Sequence, residues 1–204
     1  AQAHLLARLQ IDRAEARLEE RRSPRVEVAR SLRRLLPPRP AGTLALLRAA
    51  PDADVVVFCG GLPAPMESEG FDRTSLDLPA GQIRVIEALA ALTVPVDVVL
   101  SNGGVVHLPF SDRVGAVLEC WLGGQAGAAG VVDILFGDTD PGGRLAESIP
   151  EHVAQLPADR NFPGQPRQVQ YREGIHVGYR FHDTAGVPAR FAFGHGLSYT
   201  SFEW

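Results

Sequence analysis

Residues 66–73, MESEGFDR, gather Glu67, Glu69, Asp72 and Arg73 into one short stretch around Gly70. Carboxyl groups crowded in this way suit general acid/base chemistry. Repulsion from a like charge and partial removal from water both raise a carboxyl pKa, so that a proton is held near neutral pH. A nearby arginine can orient a carboxylate by paired hydrogen bonds. An ordinary solvated acidic loop has the same composition, and the stretch alone does not separate the two readings. Other chemistries are poorly supplied. The six histidines show no ligand spacing, and the two cysteines make neither a disulfide framework nor a zinc site. Cys59 in DVVVFC and Cys120 in AVLEC read as buried small hydrophobes. All 20 basic residues are arginine, which excludes a Schiff-base lysine, a phosphate-loop lysine and a kinase-type lysine.

The elements that must hold this stretch follow a repeating pattern. DADVVVFCGG at 52–61 is a buried strand running into a glycine turn. Residues 62–78 show no periodicity and form a long loop. PAGQIRVIEALAAL at 79–92 sets Ile83, Ile86, Leu89 and Ala90 on one helical face, with Pro79 at its head. VPVDVVLSNGG at 94–104 and VGAVLECWLGG at 114–124 are two further strands ending in glycines. Their near-continuous apolar runs fit strands covered on both faces. QAGAAGVVDILFG at 125–137 is a small-residue helix expected to pack closely on the sheet. This alternation predicts an α/β fold, a three-layer sandwich with a mostly parallel sheet and helices on both faces. Ligands bind outside the carboxyl ends of strands in such sheets, and the acidic loop starts at one of them. Beyond Pro141 the chain reads as irregular but ordered, given its aromatic content.

A chain of 204 residues is sufficient for one domain with a real core. Its net charge of -4 is unevenly spread: residues 1–48 hold 11 arginines against 5 acids, and 49–204 hold 9 against 19. The basic part is predicted to be helix over 1–22, with a strand possible at Leu9 and Ile11, then a short basic helix over 24–36 stopped by Pro37 and Pro38. TLALLRAA from Thr43 is a further helix. This asymmetry reads as solvated helices around a linker rather than a nucleic-acid arm. No apolar run approaches the ~18 residues that a membrane helix needs. With no signal-peptide core either, the compartment is left open, pointing to the cytoplasm.

The run DADVVVFCGGLPAPMESEGFDRTSLDLPAGQIRVIEALA resembles the carboxy-terminal α/β sandwich domain of glycoside hydrolase family 3, the β-glucosidase family. The matching positions are Glu67, Glu69, Gly70, Asp72, Arg73, Leu76, Leu78, Pro79 and Gln82. Gly103, the stretch Trp121 to Gln125, LFGD at 135–138, PGGRL at 141–145, YREGIHVGYRFHD at 171–183 and FGHGLSYTSFEW at 193–204 follow in family order. The resemblance covers 49–204. It leaves 1–48 as a basic helical linker or the remnant of a preceding domain, without the opening strand that the family's sandwich has. GGVVHLPF and LAESIP depart from the family's usual wording.

The resemblance implies hydrolysis of terminal β-linked glucosyl or related residues by a retaining, two-carboxylate mechanism. An aspartate on an amino-terminal barrel domain would be the nucleophile, and a glutamate of this domain the general acid/base. The family position is Glu69, with Glu67 as second choice. Asp72 and Arg73 would support the loop through an ion pair. No metal or organic cofactor is implied; the partners are a carbohydrate or glycoside substrate and the barrel, with no nucleic acid and no membrane. A non-catalytic scaffold or sugar-binding domain of the same descent is the alternative. A nucleotide-binding fold ranks last, since no G-x-G-x-x-G marks a strand–helix junction. Trp121, Tyr179 and Arg180 read as packing residues, and His195 as a turn or core residue.

Overall fold

The computed structural model describes residues 26–30, 40–164 and 167–201. Four strands, β1 (Val26–Arg30), β2 (Val55–Gly61), β3 (Val96–Ser101) and β4 (Ala116–Glu119), form one sheet in the order β1-β2-β3-β4. Every pairing is parallel. Helix α1 (Pro40–Ala49) links β1 to β2, and α2 (Ala80–Ala90) follows the acidic loop between β2 and β3. The two helices touch each other, and α2 touches β3. Helix α3 (Gly127–Phe136) follows β4, and a short α4 spans Tyr179–Ala185. The α/β sandwich read from the sequence is the fold observed.

The core is built by alternation. Val56 and Phe58 of β2 and Val96, Val98 and Leu100 of β3 share one face, as period-two geometry requires, and cluster with Val85, Ile86 and Leu89 of α2. Val57 and Val99, on the opposite face, are also buried. The β3–β4 connection contains no helix. Val105, Val106, Leu108, Phe110 and Val114 take a helix's place, all buried in the same cluster. Truncating such a side chain, Phe110 for instance, costs about 3–5 kcal/mol.

The amino-terminal region differs from expectation. β1 lies where a short basic helix is expected over 24–36, and it pairs with β2 from Val26↔Val55 to Arg30↔Cys59. Arginine-rich flanks favour helix by propensity, but the β-branched Val26 and Val28 have an open strand edge to join, and the tertiary pairing prevails. The opening strand that the resemblance leaves missing is therefore present, and part of the 1–48 stretch belongs to the sandwich. The helix expected over 1–22 and its stop at Pro37 and Pro38 lie outside the described residues. Two smaller differences concern the second half. None of the α3 residues is buried: only its first turn is made of small residues, and the larger Val132 and Phe136 that follow are exposed. α4 interrupts the stretch expected to be irregular, being too short to show periodicity in sequence.

The end of β2 is tied to the head of α2. The Gln82 side chain accepts from the Gly61 amide at 3.0 Å and donates to the Gly61 carbonyl at 2.8 Å. A β-carbon at Gly61 would stand 1.8 Å from the Ser101 carbonyl oxygen, and its φ of +150° is one that side-chain-bearing residues rarely adopt. Gly61→Ala is expected to destabilise the domain by roughly 4 kcal/mol or more. Urea unfolding tests this, and a midpoint matching the parent would contradict the close approach.

Candidate active site

The acidic loop leaves β2 at Gly61 and passes through a 3₁₀ turn at Ala64–Met66. It is then fastened to a single segment. Glu67 Oε1 accepts from the amides of Gly103 at 2.6 Å and Gly104 at 2.9 Å. Arg73 Nη1 donates to the Val105 carbonyl at 3.0 Å. A β-carbon on Gly104 would sit 3.1 Å from that guanidinium nitrogen and one on Gly103 would sit 3.3 Å from Glu67 Oε1, so a side chain at either position would crowd these contacts.

Glu69 lies on the arch between these anchors. The Phe71 amide donates to the Ser68 carbonyl at 3.3 Å, which makes Glu69 and Gly70 the two central residues of a turn. Gly70 has φ of +82°, the value that a type II turn demands at its third position. Glutamate before glycine is thus turn chemistry that lifts the Glu69 side chain to the loop tip. Glu69 is exposed and makes no hydrogen bond or ion pair among the described residues. Asp72 is exposed as well. The ion pair expected between Asp72 and Arg73 is absent among the described residues, because Arg73 is half-buried and turned to Val105 while Asp72 faces solvent.

Two residues that the sequence reading did not single out complete the edge. Asn102, fully buried, donates Nδ2 to the Gly104 carbonyl at 2.9 Å and to Glu119 Oε2 at 3.2 Å. Glu119 Oε1 accepts from the Trp121 amide at 3.0 Å. Burial pushes the Glu119 carboxyl up to about 7; the bonds from Trp121 and Asn102 pull against this, and the Glu67 charge adds to it. Trp121 has φ of 51°, a conformation that costs a non-glycine residue on the order of 1–3 kcal/mol. It is held there by Glu119 at its amide and by Ser101 Oγ, which donates to its carbonyl at 3.0 Å. The Trp121 ring packs against the core. A carboxylate at the end of an otherwise apolar strand, AVLE, was the available signal for Glu119.

The remaining candidates serve structure. His195 is partly buried beside the Phe191 ring, centroids 5.1 Å apart; burial and then Arg144 hold its pKa down. Tyr179 is exposed rather than in the core, stacked on Phe193 at 4.8 Å with Arg180 over its ring. Burial, helped by Glu119 and Cys59, pushes the Cys120 thiol up to about 12. An open cleft lined by Leu156, Arg160, Arg172, Glu173, His176 and Phe181 contains none of the acidic-loop residues. Among the described residues no cluster of side chains could hold a metal, and no helix is long and apolar enough to cross a membrane.

Known proteins share this arrangement's sequence and fold. Residues 11–199 match the glycosyl hydrolase family 3 C-terminal domain. The chain is 49% identical over 157 residues to thermostable beta-glucosidase B of Acetivibrio thermocellus, covering 77% of this chain and 21% of that one. It is 45% identical over 170 residues to the exo-alpha-(1->6)-L-arabinopyranosidase of Bifidobacterium longum, covering 83% of this chain and 22% of the other. The crystal structure of a beta-glucosidase from Bifidobacterium adolescentis superposes with a TM-score of 0.78 at 42% identity, over 82% of this chain and 25% of that one. The chain spans about a fifth of the length of the curated relatives it matches.

Glu119 makes stability depend on pH. Its folded-state pKa of about 7 stands above the ordinary 4.5, so its contribution is complete below 4.5, falls as pH rises, and is lost above 7. E119Q removes that titration. The variant should gain on the parent by on the order of 1–3 kcal/mol between pH 4.5 and 8. Thermal melts across this range read the difference, and a constant offset between the two proteins would contradict it.

Proposed function

The chain belongs to glycoside hydrolase family 3, as its carboxy-terminal domain, and from that premise we propose that it supplies the general acid/base of an exo-acting, retaining glycosidase. The observation that carries this reading is the state of Glu69: exposed at the tip of a turn, without a partner among the described residues, and flanked by two anchors on one backbone segment. A residue that must give a proton to substrate and take one from water needs that freedom together with a fixed position. Glu67 lacks it, since one of its oxygens is occupied by two amides. Glu67 and Arg73 hold the loop, and Asp72 lies on its solvent side.

In the proposed cycle Glu69 protonates the glycosidic oxygen as the bond to the departing group breaks. An aspartate nucleophile on the amino-terminal barrel domain takes the sugar. Glu69 then removes a proton from the water that releases it, and the nucleophile is regenerated. Retaining geometry sets the two carboxyl groups about 5–5.5 Å apart. No metal or cofactor enters these steps. The substrate is a terminal β-linked glucosyl or related glycosyl residue. Relatives named as β-glucosidases and as an arabinopyranosidase support that breadth.

In the full-length enzyme E69A should lower kcat on an unactivated disaccharide by roughly 10²–10⁴-fold. An aryl glycoside with a good leaving group should retain much of its first step, and azide should restore turnover. Undiminished disaccharide hydrolysis would remove Glu69 from the mechanism and favour a scaffold or sugar-binding domain. The 204-residue chain alone should be inactive, and measurable turnover by it would overturn the division of the two carboxyl groups between domains.

A further inference from the structure

Residue 104 is gripped from two sides. Its amide donates to Glu67 of the acidic loop at 2.9 Å, and its carbonyl accepts from the buried Asn102 side chain at 2.9 Å. Asn102 is in turn shared with Glu119 at 3.2 Å, whose second oxygen secures the left-handed Trp121 through its amide. One carboxylate at the end of β4 thus ties the turn after β3 to the turn after β4. Glu67 docks the loop on the first of these turns.

We propose that Glu119 is a positioning residue for Glu69, acting through Asn102 and the Gly103–Gly104 turn on Glu67. The proposal rests on Glu69 being the general acid/base. Without Glu119, Asn102 keeps the Gly104 carbonyl but has nothing to brace its own amide. Trp121 loses the acceptor that holds its disfavoured conformation. The platform under Glu67 then loosens, and the arch bearing Glu69 moves with it. The fold survives, because the buried cluster on which β3 and α2 pack does not include Glu119. The charged and titratable groups around Glu119 are consistent with this role. Glu67 faces it from the loop, Arg73 reaches the same segment at Val105, and the neighbouring Cys120 thiol stays neutral because burial pushes it up to about 12.

The test is a double-mutant cycle in the full-length enzyme, with E119A and E119Q each combined with E67Q. On an unactivated disaccharide, E119A should lower kcat at least about tenfold with KM within about twofold, while E119Q, which keeps an oxygen for the Trp121 amide, loses less. An activated aryl glycoside, whose departure needs no proton, should be spared in the first step. The doubly substituted enzyme should be no worse than the worse single variant, because both side chains act along one path. Equal losses on both substrates, or losses that multiply, would overturn the proposal. If E119A does not fold, the cycle is read from E119Q alone.

A second readout is independent of catalysis. The chain has two tryptophans, so W204F leaves Trp121 as the sole one, read by excitation at the red edge that spares the three tyrosines. Its emission should titrate near pH 7 and lose that inflection with E119Q; an inflection that persists in E119Q would also count against the proposal. Should E69A keep disaccharide activity, the acid/base reading fails whatever Glu119 does. Should E69A be inactive and E119A behave as the parent, only the positioning role falls.

Discussion

A single carboxylate oxygen accepting two consecutive backbone amides organises the loops at the carboxyl edge of this sheet. Glu67 reaches from a long loop to Gly103 and Gly104, and those amides, turned away from any strand partner, need an acceptor. Charge-assisted bonds of this kind are among the stronger ones available to a surface loop. The contact closes a loop that begins at Gly61 and returns to the core at Leu78. Without it no hydrogen bond among the described residues ties the stretch between Leu62, which packs on the core, and Arg73 to the rest of the domain, and Glu69 has no defined place. Gly61 is then a site where two backbones meet with no room for a β-carbon, and Gly103 and Gly104 are sites where one would crowd the anchoring side chains.

The second constraint is electrostatic. Two carboxyl groups meet at the turn after β3, Glu67 through the amides of Gly103 and Gly104 and Glu119 through Asn102, and Glu119 alone reaches on to the turn after β4. Burial sets Glu119 apart, raising it to about 7, and its bonds to Trp121 and Asn102 only partly offset that. A buried polar group with satisfied bonds specifies one local geometry, because every alternative leaves a donor or an acceptor unpaired. That is the physical reason a tryptophan in a left-handed conformation is tolerated at the end of β4. The apolar β3–β4 connection underneath, with Val106 and Phe110 fully buried, supplies the rigid floor.

Much of this was legible in the sequence, for reasons that can be named. β2, β3 and β4 announced themselves as continuous apolar runs ended by glycine, and α2 by its spacing behind Pro79. The acidic loop and the glutamate before glycine were visible as residue types, and the order of motifs pointed to the family. β1 was hidden because five residues among arginines show little pattern until a partner strand exists. The interactions that hold the site were hidden for a different reason. A carboxylate bonding two amides across 36 residues leaves no local periodicity, and Asn102 and Glu119 look ordinary until β3 and β4 lie side by side. Pairing Asp72 with Arg73 failed because adjacency in sequence says nothing about which side chain faces inward.

The proposed mechanism divides labour within one loop: Glu67 holds and Glu69 reacts. The most direct measurement is a crystal structure of the full-length enzyme with an uncleavable thio-linked disaccharide. A Glu69 carboxyl oxygen should lie within about 3 Å of the interglycosidic sulfur, with Glu67 still on the amides of Gly103 and Gly104. A structure in which Glu67 leaves those amides for the glycosidic atom while Glu69 stays in solvent would contradict it.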